Sequence, residues 1–291
     1  DYAQVYQTRL PVELYPTTYI ADRTIEELGN AAEDQRPFFI HCSFPDPHHP
    51  FSPPGKYWDM YQADDMPLPG NFEQDHSRSP SFIQQLIRRR GQPAELAVDP
   101  WAPTREQYSQ ALAAQYGMIS LVDDQVGRVL DSLRALNLDH NTIIVFSSDH
   151  GDLFGDHGLM MKHYIHYEGC LRVPLVINCP GKPQGRSDAL VGSIDLAQTI
   201  LDLAGVVPYH DMQGLSLASL LDNPDEVIRD AVLIEEDGKA DPFGTGHPAR
   251  MRTLRTRQHR LTLYHGLAEG ELYDLDTDPN EDINLWHEPA A

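Results

Sequence analysis

The sequence predicts an α/β fold: a mostly parallel sheet sandwiched by helices, with a small antiparallel sheet subdomain at the C-terminal end. Three observations carry this expectation. Thr142-Ile143-Ile144-Val145-Phe146 is an unbroken run of β-branched and aromatic residues, as in a strand buried on both faces. From Arg105 to Leu136, Tyr108, Leu112, Tyr116, Ile119, Val122, Val126, Val129 and Leu133 recur at spacings of three and four, the stripe of a long amphipathic helix. Beyond residue 229 the pattern changes to short strands between charged or glycine turns. The expected domains are a main α/β body over 1–228 and a small antiparallel subdomain over 229–291.

Residues 1–17 show little periodicity. Ile20, Ile25 and Leu28 with Asp22 and Glu26-Glu27 predict a helix that ends near Gly29-Asn30. Pro37-Phe38-Phe39-Ile40-His41-Cys42-Ser43-Phe44 reads as a buried strand, cut off by Pro45-Asp46-Pro47-His48-His49-Pro50. Prolines remove donors and fix φ, so that segment is a stiff loop. Residues 57–104 are loop-rich, with a helix around Phe82 to Ile87, and suit a rim, lid or insertion. The long helix turns at 137–140 into the strand at 142–146, the order of a doubly wound unit. Arg172 to Gly181 holds another strand. Ser193 to Gly205 is a short helix with Ser193 or Asp195 near its cap and glycine after it. Four short strands follow: Ala231 to Ile234, Met251 to Thr256, Arg260 to Tyr264 and Glu271 to Leu275.

A chain of 291 residues, 41% of them hydrophobic, is long enough for one large core. Its formal charge of -22, from 44 acidic against 22 basic residues, excludes a general nucleic-acid surface, which must neutralise phosphates. No apolar run is long enough to span a bilayer. Asp1 to Tyr6 lack the basic segment and apolar core of a signal peptide, which a processed or truncated chain would also lack, so the compartment of a soluble chain is left open, with the cytoplasm slightly preferred over the periplasm. Cys42, Cys170 and Cys179 form no close-spaced metal or redox motif and read as reduced packing residues. Lysine is scarce, confined to positions 56, 162, 182 and 239, so Lys162 beside a glycine-rich acidic cluster stands out.

That cluster is Ser147-Ser148-Asp149-His150-Gly151-Asp152, then Gly155-Asp156-His157-Gly158. It follows the strand at 142–146, and the carboxyl ends of strands are where open α/β sheets gather ligands. Asp149 and His150, where a strand bends into a glycine turn, suit a divalent cation, or equally an ordinary capped turn. Asp152, Asp156 and His157 fit turn formation. His48 and His49 sit on a proline-braced loop, suited to binding a metal, protonating a leaving group or holding an anion, or to facing solvent. His163 and His166, three apart, are placed to share a helix face.

Together these motifs resemble the sulfatases of the alkaline phosphatase superfamily, most closely the choline-sulfatase-like and arylsulfatase-like members. The likeness rests on Pro37-Phe38-Phe39-Ile40 with Ser43-Phe44-Pro45-Asp46-Pro47-His48-His49-Pro50-Phe51, on Ser148-Asp149-His150-Gly151-Asp152 with Gly155-Asp156-His157-Gly158 and Lys162, on Tyr167-Glu168-Gly169 with Arg172-Val173-Pro174-Leu175, and on Glu271-Leu272-Tyr273-Asp274-Leu275 with Asp278-Pro279 and Asn284-Leu285. The resemblance implies that Asp149 and His150 are metal ligands, of Ca2+ in preference to Mg2+ or Mn2+. It implies that Lys162 and His48 are catalytic residues of the anion pocket, Lys162 on the sulfate and leaving-group oxygens. The nucleophile it implies is a formylglycine made from Cys or Ser in a Cys/Ser-x-Pro-x-Arg motif. Neither that motif nor the paired aspartates of the family's first strand occurs here. The chain is therefore expected to be a C-terminal portion whose partner is the missing N-terminal region of the same protein, and not to turn over substrate unaided.

The implied activity is hydrolysis of a small sulfated substrate. A phosphonate or phosphate ester hydrolase of the same superfamily, acting on a phosphorylated substrate, is the neighbouring reading. A non-catalytic α/β domain that binds an anion or a partner is the third. Assembly as a homo-oligomer is left open.

Overall fold

The computed structural model describes residues 4–92 and 99–288. Asp1, Tyr2 and Ala3 of the segment compared with signal peptides, and 93–98 of the expected rim, lie outside the described residues. The helices are α1 (Pro16–Asp34), α2 (Ser81–Arg88), α3 (Arg105–Ala135), α4 (Glu168–Leu171) and α5 (Ile194–Leu203). The strands are β1 (Ile144–Ser147), β2 (Leu175–Asn178), β3 (Ala231–Asp237), β4 (Arg250–Thr256), β5 (His259–Tyr264) and β6 (Gly270–Asp274). The chain divides into two compact units, one of Asp1–Pro69 with Pro103–Ile143, the other of Gly70–Ala102 with Ile144–Ala291. These units are drawn differently from the expected boundary at residue 228: the sheet of 229–291 lies in the same unit as residues 144–228.

In the first unit α1 begins with Pro16, whose fixed φ suits a first helical turn, and ends at Gln35 in the left-handed region. A capping box opens α3: Thr104 Oγ1 accepts from Gln107 N (3.2 Å) and Gln107 Oε1 accepts from Thr104 N (2.8 Å). The two helices meet through Arg128, which donates to Asp22 at 2.7 Å. Tyr15, Tyr57 and Leu121 pack as a small core. Gly117, inside α3, is where Tyr57 approaches closely: a Cβ there would lie 2.2 Å from the Tyr57 carbonyl oxygen.

In the second unit β3, β4, β5 and β6 form an antiparallel meander in that order. Side chains alternate across a strand, so the register puts Glu236, Met251, Thr253, Arg260, Thr262, Tyr264, Glu271 and Tyr273 on one face. That face packs against Leu153, Leu159, Ile165, Tyr167 and Cys170 from the segment after β1. Arg260 is fully buried there. Its Nε donates to Glu281, and Nη1 donates to Thr262 Oγ1 at 2.7 Å and to Glu271 at 3.4 Å. The guanidinium lies 4.6 Å from the Tyr273 ring centroid and 5.1 Å from that of Tyr167. Asn284 ties the tail to the sheet, accepting from Leu272 N at 3.0 Å and donating to the Gly270 carbonyl at 3.0 Å.

The α/β content and the C-terminal antiparallel sheet agree with the sequence. Two strand expectations do not. β1 pairs β2 antiparallel, with Phe146 opposite Val176, and both are exposed (45% and 58%), so the run at 142–146 is not a strand buried in a parallel sheet. Residues 37–44 form no strand: they have no ladder partner among the described residues, and Phe39 is exposed. Hydrophobic runs report a capacity for burial, whereas a parallel ladder also needs parallel neighbours, and the described strands pair only antiparallel.

Removing one partner of a buried ion group leaves the others uncompensated. Arg260→Met is therefore expected to lower unfolding stability by about 3–5 kcal/mol, read as a reduced urea midpoint. An unchanged midpoint would contradict this account of the sheet.

Candidate active site

Gly151 begins the site. Its N–H donates to the Cys170 carbonyl at 2.8 Å, and a Cβ would lie 1.9 Å from the Gly169 carbonyl oxygen, so only glycine lets the chain after β1 run against α4. The residues before it make a tight polar turn. Ser148 Oγ donates to the His150 carbonyl at 2.9 Å, and the His150 N–H donates to Asp149 Oδ1 at 3.0 Å. The His150 Nδ1–H donates to the Gly151 carbonyl at 2.7 Å, which directs Nε2 to Asp149 Oδ2, 3.6 Å away. Burial raises the Asp149 pKa, but His150 and the surrounding donors outweigh it and hold the carboxyl below its ordinary value.

Asp152 closes the next loop. Its Oδ1 accepts from Phe154 N at 3.1 Å and from Met161 N at 3.0 Å, while Leu153 N donates to the Met161 carbonyl at 2.9 Å. Burial raises the Asp152 pKa. Lys162 follows directly and is 6% exposed. Burial draws its pKa down, opposed by the carboxylates of Asp152 and then Asp149. Lys162 is thus largely removed from water, with the acidic groups that act on it in the turn that also carries Asp149 and His150.

The backbone around Lys162 is unusual. Met161, His163 and Tyr164 all have positive φ, at 72°, 79° and 59°, a region that costs non-glycine residues about 1–3 kcal/mol each unless neighbours hold them there. Glu236 on β3 is one such neighbour. Its Oε2 accepts from Tyr164 N at 3.1 Å and faces His166 Nε2 at 3.1 Å, and its Oε1 faces His163 Nδ1 at 3.2 Å. The His166 Nδ1 is 2.8 Å from Thr253 Oγ1. Despite partial burial, which opposes ionisation, the two histidines hold the Glu236 carboxyl down at about 2.

His163 and His166 therefore share a carboxylate, not the helix face expected from their spacing. Asp156 and His157 form a structural turn. The His157 ring stacks on Tyr167 with centroids 3.5 Å apart, Nδ1 faces Gln74, and burial lowers its pKa to about 2. Asp149, His150 and Lys162 all lie in the second unit, with His150 beside Asp149 and the Asp149 carboxylate acting electrostatically on Lys162. His48 belongs to the first, on the loop with cis bonds before Pro47 and Pro50. Its Nδ1–H donates to the His49 carbonyl at 2.6 Å, and the two histidine rings stack with centroids 4.0 Å apart.

A hard dication takes about six to eight oxygen ligands when it is Ca2+ and about six when it is Mg2+. Asp149 supplies carboxylate oxygens on an open flank and His150 a ring nitrogen beside them, which fits one side of such a shell. The described residues contain no group of three or more His, Cys, Asp or Glu side chains that could hold an ion, so the pair does not make a whole site.

Glu236 is the residue of this region that motif reading passes over. Its signal is phase: along β3 from Val232 onward, Val232, Ile234 and Glu236 are partly buried and Leu233, Glu235 and Asp237 exposed, so a carboxylate occupies an inward slot.

The described residues thus combine helices and antiparallel sheets with an acidic turn after β1 and a buried lysine, an α/β protein by class. Residues 2–206 match the sulfatase family model, and residues 155–291 match the model for the C-terminal region of N-sulphoglucosamine sulphohydrolase. The chain belongs to the sulfatase family, within the alkaline phosphatase superfamily. It is 30% identical to an arylsulfatase of Clostridium perfringens, over 94% of this chain and 54% of that protein, and 29% identical to a choline-sulfatase of Rhizobium meliloti, over 94% and 51%. A phosphonate monoester hydrolase from Silicibacter pomeroyi superposes with a TM-score of 0.84 at 27% identity, over 100% of this chain and 62% of that one. The chain spans about half the length of the curated relatives it matches.

The Glu236 carboxyl titrates from 4.5 unfolded to about 2 folded, so its stabilisation is complete above pH 4.5 and disappears as pH falls toward 2. The stability gap between the protein and Glu236→Gln should be largest above pH 4.5 and close on acidification. Denaturant titrations across that range test it, and a gap that is constant with pH would contradict it.

Proposed function

We propose that this chain carries one side of the active site of a hydrolase that cleaves sulfate esters, with water adding to sulfur overall and the alcohol and sulfate as products. The observation that carries the reading is Lys162: in a sulfatase-family chain, a lysine held out of water beside Asp149 and Asp152 has the charge and setting to receive a sulfuryl oxygen. A fixed cation aimed at oxygens that gain negative charge in the transition state lowers the barrier without solvent reorganisation. Protonation of the departing alcohol oxygen falls to Lys162 or His48.

Asp149 and His150 would form part of the shell of a divalent cation, Ca2+ before Mg2+ or Mn2+. Such an ion would add positive charge at the sulfuryl oxygens. The remaining ligands and the formylglycine nucleophile expected for the family would come from residues other than these four, and the chain alone is proposed to be inactive. The substrate is proposed to be a small sulfated molecule.

The second reading, a phosphonate ester hydrolase, is favoured by the superposition of the whole of this chain on 62% of the Silicibacter pomeroyi enzyme. Sulfate and phosphonate monoesters are both tetrahedral oxyanions, so Lys162 serves either. Parallel rates on 4-nitrophenyl sulfate and 4-nitrophenyl phenylphosphonate, measured on the enzyme containing this chain, separate them. The sulfate ester is expected to have the higher kcat/KM, and a preference for the phosphonate would overturn the leading reading. On the preferred ester Lys162→Ala should lower kcat by about 10²–10³-fold, and an unaltered kcat would remove Lys162 from the site.

A further inference from the structure

The segment that carries Lys162 is not a stable turn by its own local preferences. Three of the four residues from Met161 to Tyr164 hold positive φ, and none is glycine. Upstream, Asp152 and Leu153 fix Met161 through both its backbone groups, and Met160 is bridged to Trp101, with its N–H donating to the Trp101 carbonyl at 2.9 Å. Downstream, one side chain makes three of the polar contacts, Glu236 receiving the Tyr164 N–H and facing both His163 and His166, while Thr253 meets His166 and Phe243 packs on the Tyr164 ring. Glu236 touches none of Asp149, His150 and Lys162 at hydrogen-bond distance. It is itself located by the sheet, since it lies opposite Met251 on β4, next to Thr253, which meets His166.

We propose that Glu236 is a positioning residue for Lys162, a carboxylate on the C-terminal sheet that holds residues 163–166 in the strained conformation that presents the Lys162 ammonium to an oxyanion. This rests on the reading of Lys162 as an anion contact. Without the carboxylate, Tyr164 N–H loses its acceptor and both histidines lose the group they face, so the left-handed residues relax toward ordinary backbone. The lysine remains in the chain, but the fraction of molecules that present it correctly falls. Apparent anion affinity falls with that fraction.

The chain has four lysines, so reductive ¹³C-dimethylation, which preserves their charge, yields a small set of resonances in which Lys162 is assigned by its absence in Lys162→Arg. Inorganic sulfate is titrated against the full chain with Ca2+ present, following that resonance in the unaltered protein, Glu236→Gln, Glu236→Asp and Arg229→Met. Arg229 pairs with buried Asp195 in a separate ion pair, so its variant controls for lost stability alone. The expected result is a saturable shift of the Lys162 resonance in the unaltered protein and in Arg229→Met. Glu236→Gln should bind roughly tenfold more weakly, as when about a tenth of molecules hold the competent state, and Glu236→Asp, which keeps the charge on a shorter arm, should lie between.

If the unaltered protein responds and both Glu236 variants respond with the same affinity, the positioning role is overturned while Lys162 stays an anion contact. If the Lys162 resonance of the unaltered protein ignores sulfate, the reading of Lys162 fails and this inference fails with it. Should Glu236→Gln not fold, Glu236→Asp decides: weakened sulfate affinity with an unshifted Arg229→Met control supports the role, and unchanged affinity overturns it.

Discussion

Two carboxylates hold a backbone that would not otherwise keep its shape. Asp152 takes the Met161 N–H on one side of Lys162 and Glu236 takes the Tyr164 N–H on the other, at 3.0 and 3.1 Å. Between them lie left-handed residues that bear side chains. Strain of this kind persists only where the surroundings over-determine it, and here both restraints are ionic groups accepting from backbone donors. The position of the buried ammonium, and with it the chemistry proposed for the site, depends on that pair.

This gives the C-terminal sheet a role beyond packing. Its inward face carries Glu236 toward the lysine segment and, farther along, the Arg260, Glu271 and Glu281 group under Tyr167. A fully buried arginine with two carboxylates is a costly way to fill space, because each ion gives up its hydration. Its geometric yield is that β5, β6 and the tail at Glu281 are locked to one another, and Glu281 also accepts the Glu168 N–H at 2.7 Å where α4 begins. α4 in turn supplies the Gly169 carbonyl against which Gly151 packs. The sheet and the acidic turn are thus joined through hydrogen bonds and close backbone contacts within one unit.

Much of this was legible in the sequence. The helix α3 was readable from its spacing, although of the expected stripe only Tyr108, Leu112 and Leu133 are buried and Ile119 is exposed, and the strands β3 to β6 were readable because alternation reflects burial within the same stretch of chain. Asp149, His150 and Lys162 were singled out as candidates because glycines and a scarce residue type mark them. The strand expected at 37–44 and the parallel pairing of 142–146 were not sound, because pairing partners are a property of distant segments. Glu236 was hidden because it looks like one charge in the run Glu235-Glu236-Asp237, and only its phase along β3 separates it from two solvent-facing neighbours. His163 and His166 misled for the opposite reason: their spacing fits a helix, but positive φ at His163 and Tyr164 excludes one.

Native-state hydrogen exchange at the Met161 and Tyr164 amides tests the central claim most directly. If the carboxylates of Asp152 and Glu236 hold this segment, both amides exchange slowly, in step with core amides such as that of Thr253. Exchange of either amide at the rate of a solvated loop would show that the strained turn is not held, and would contradict the account.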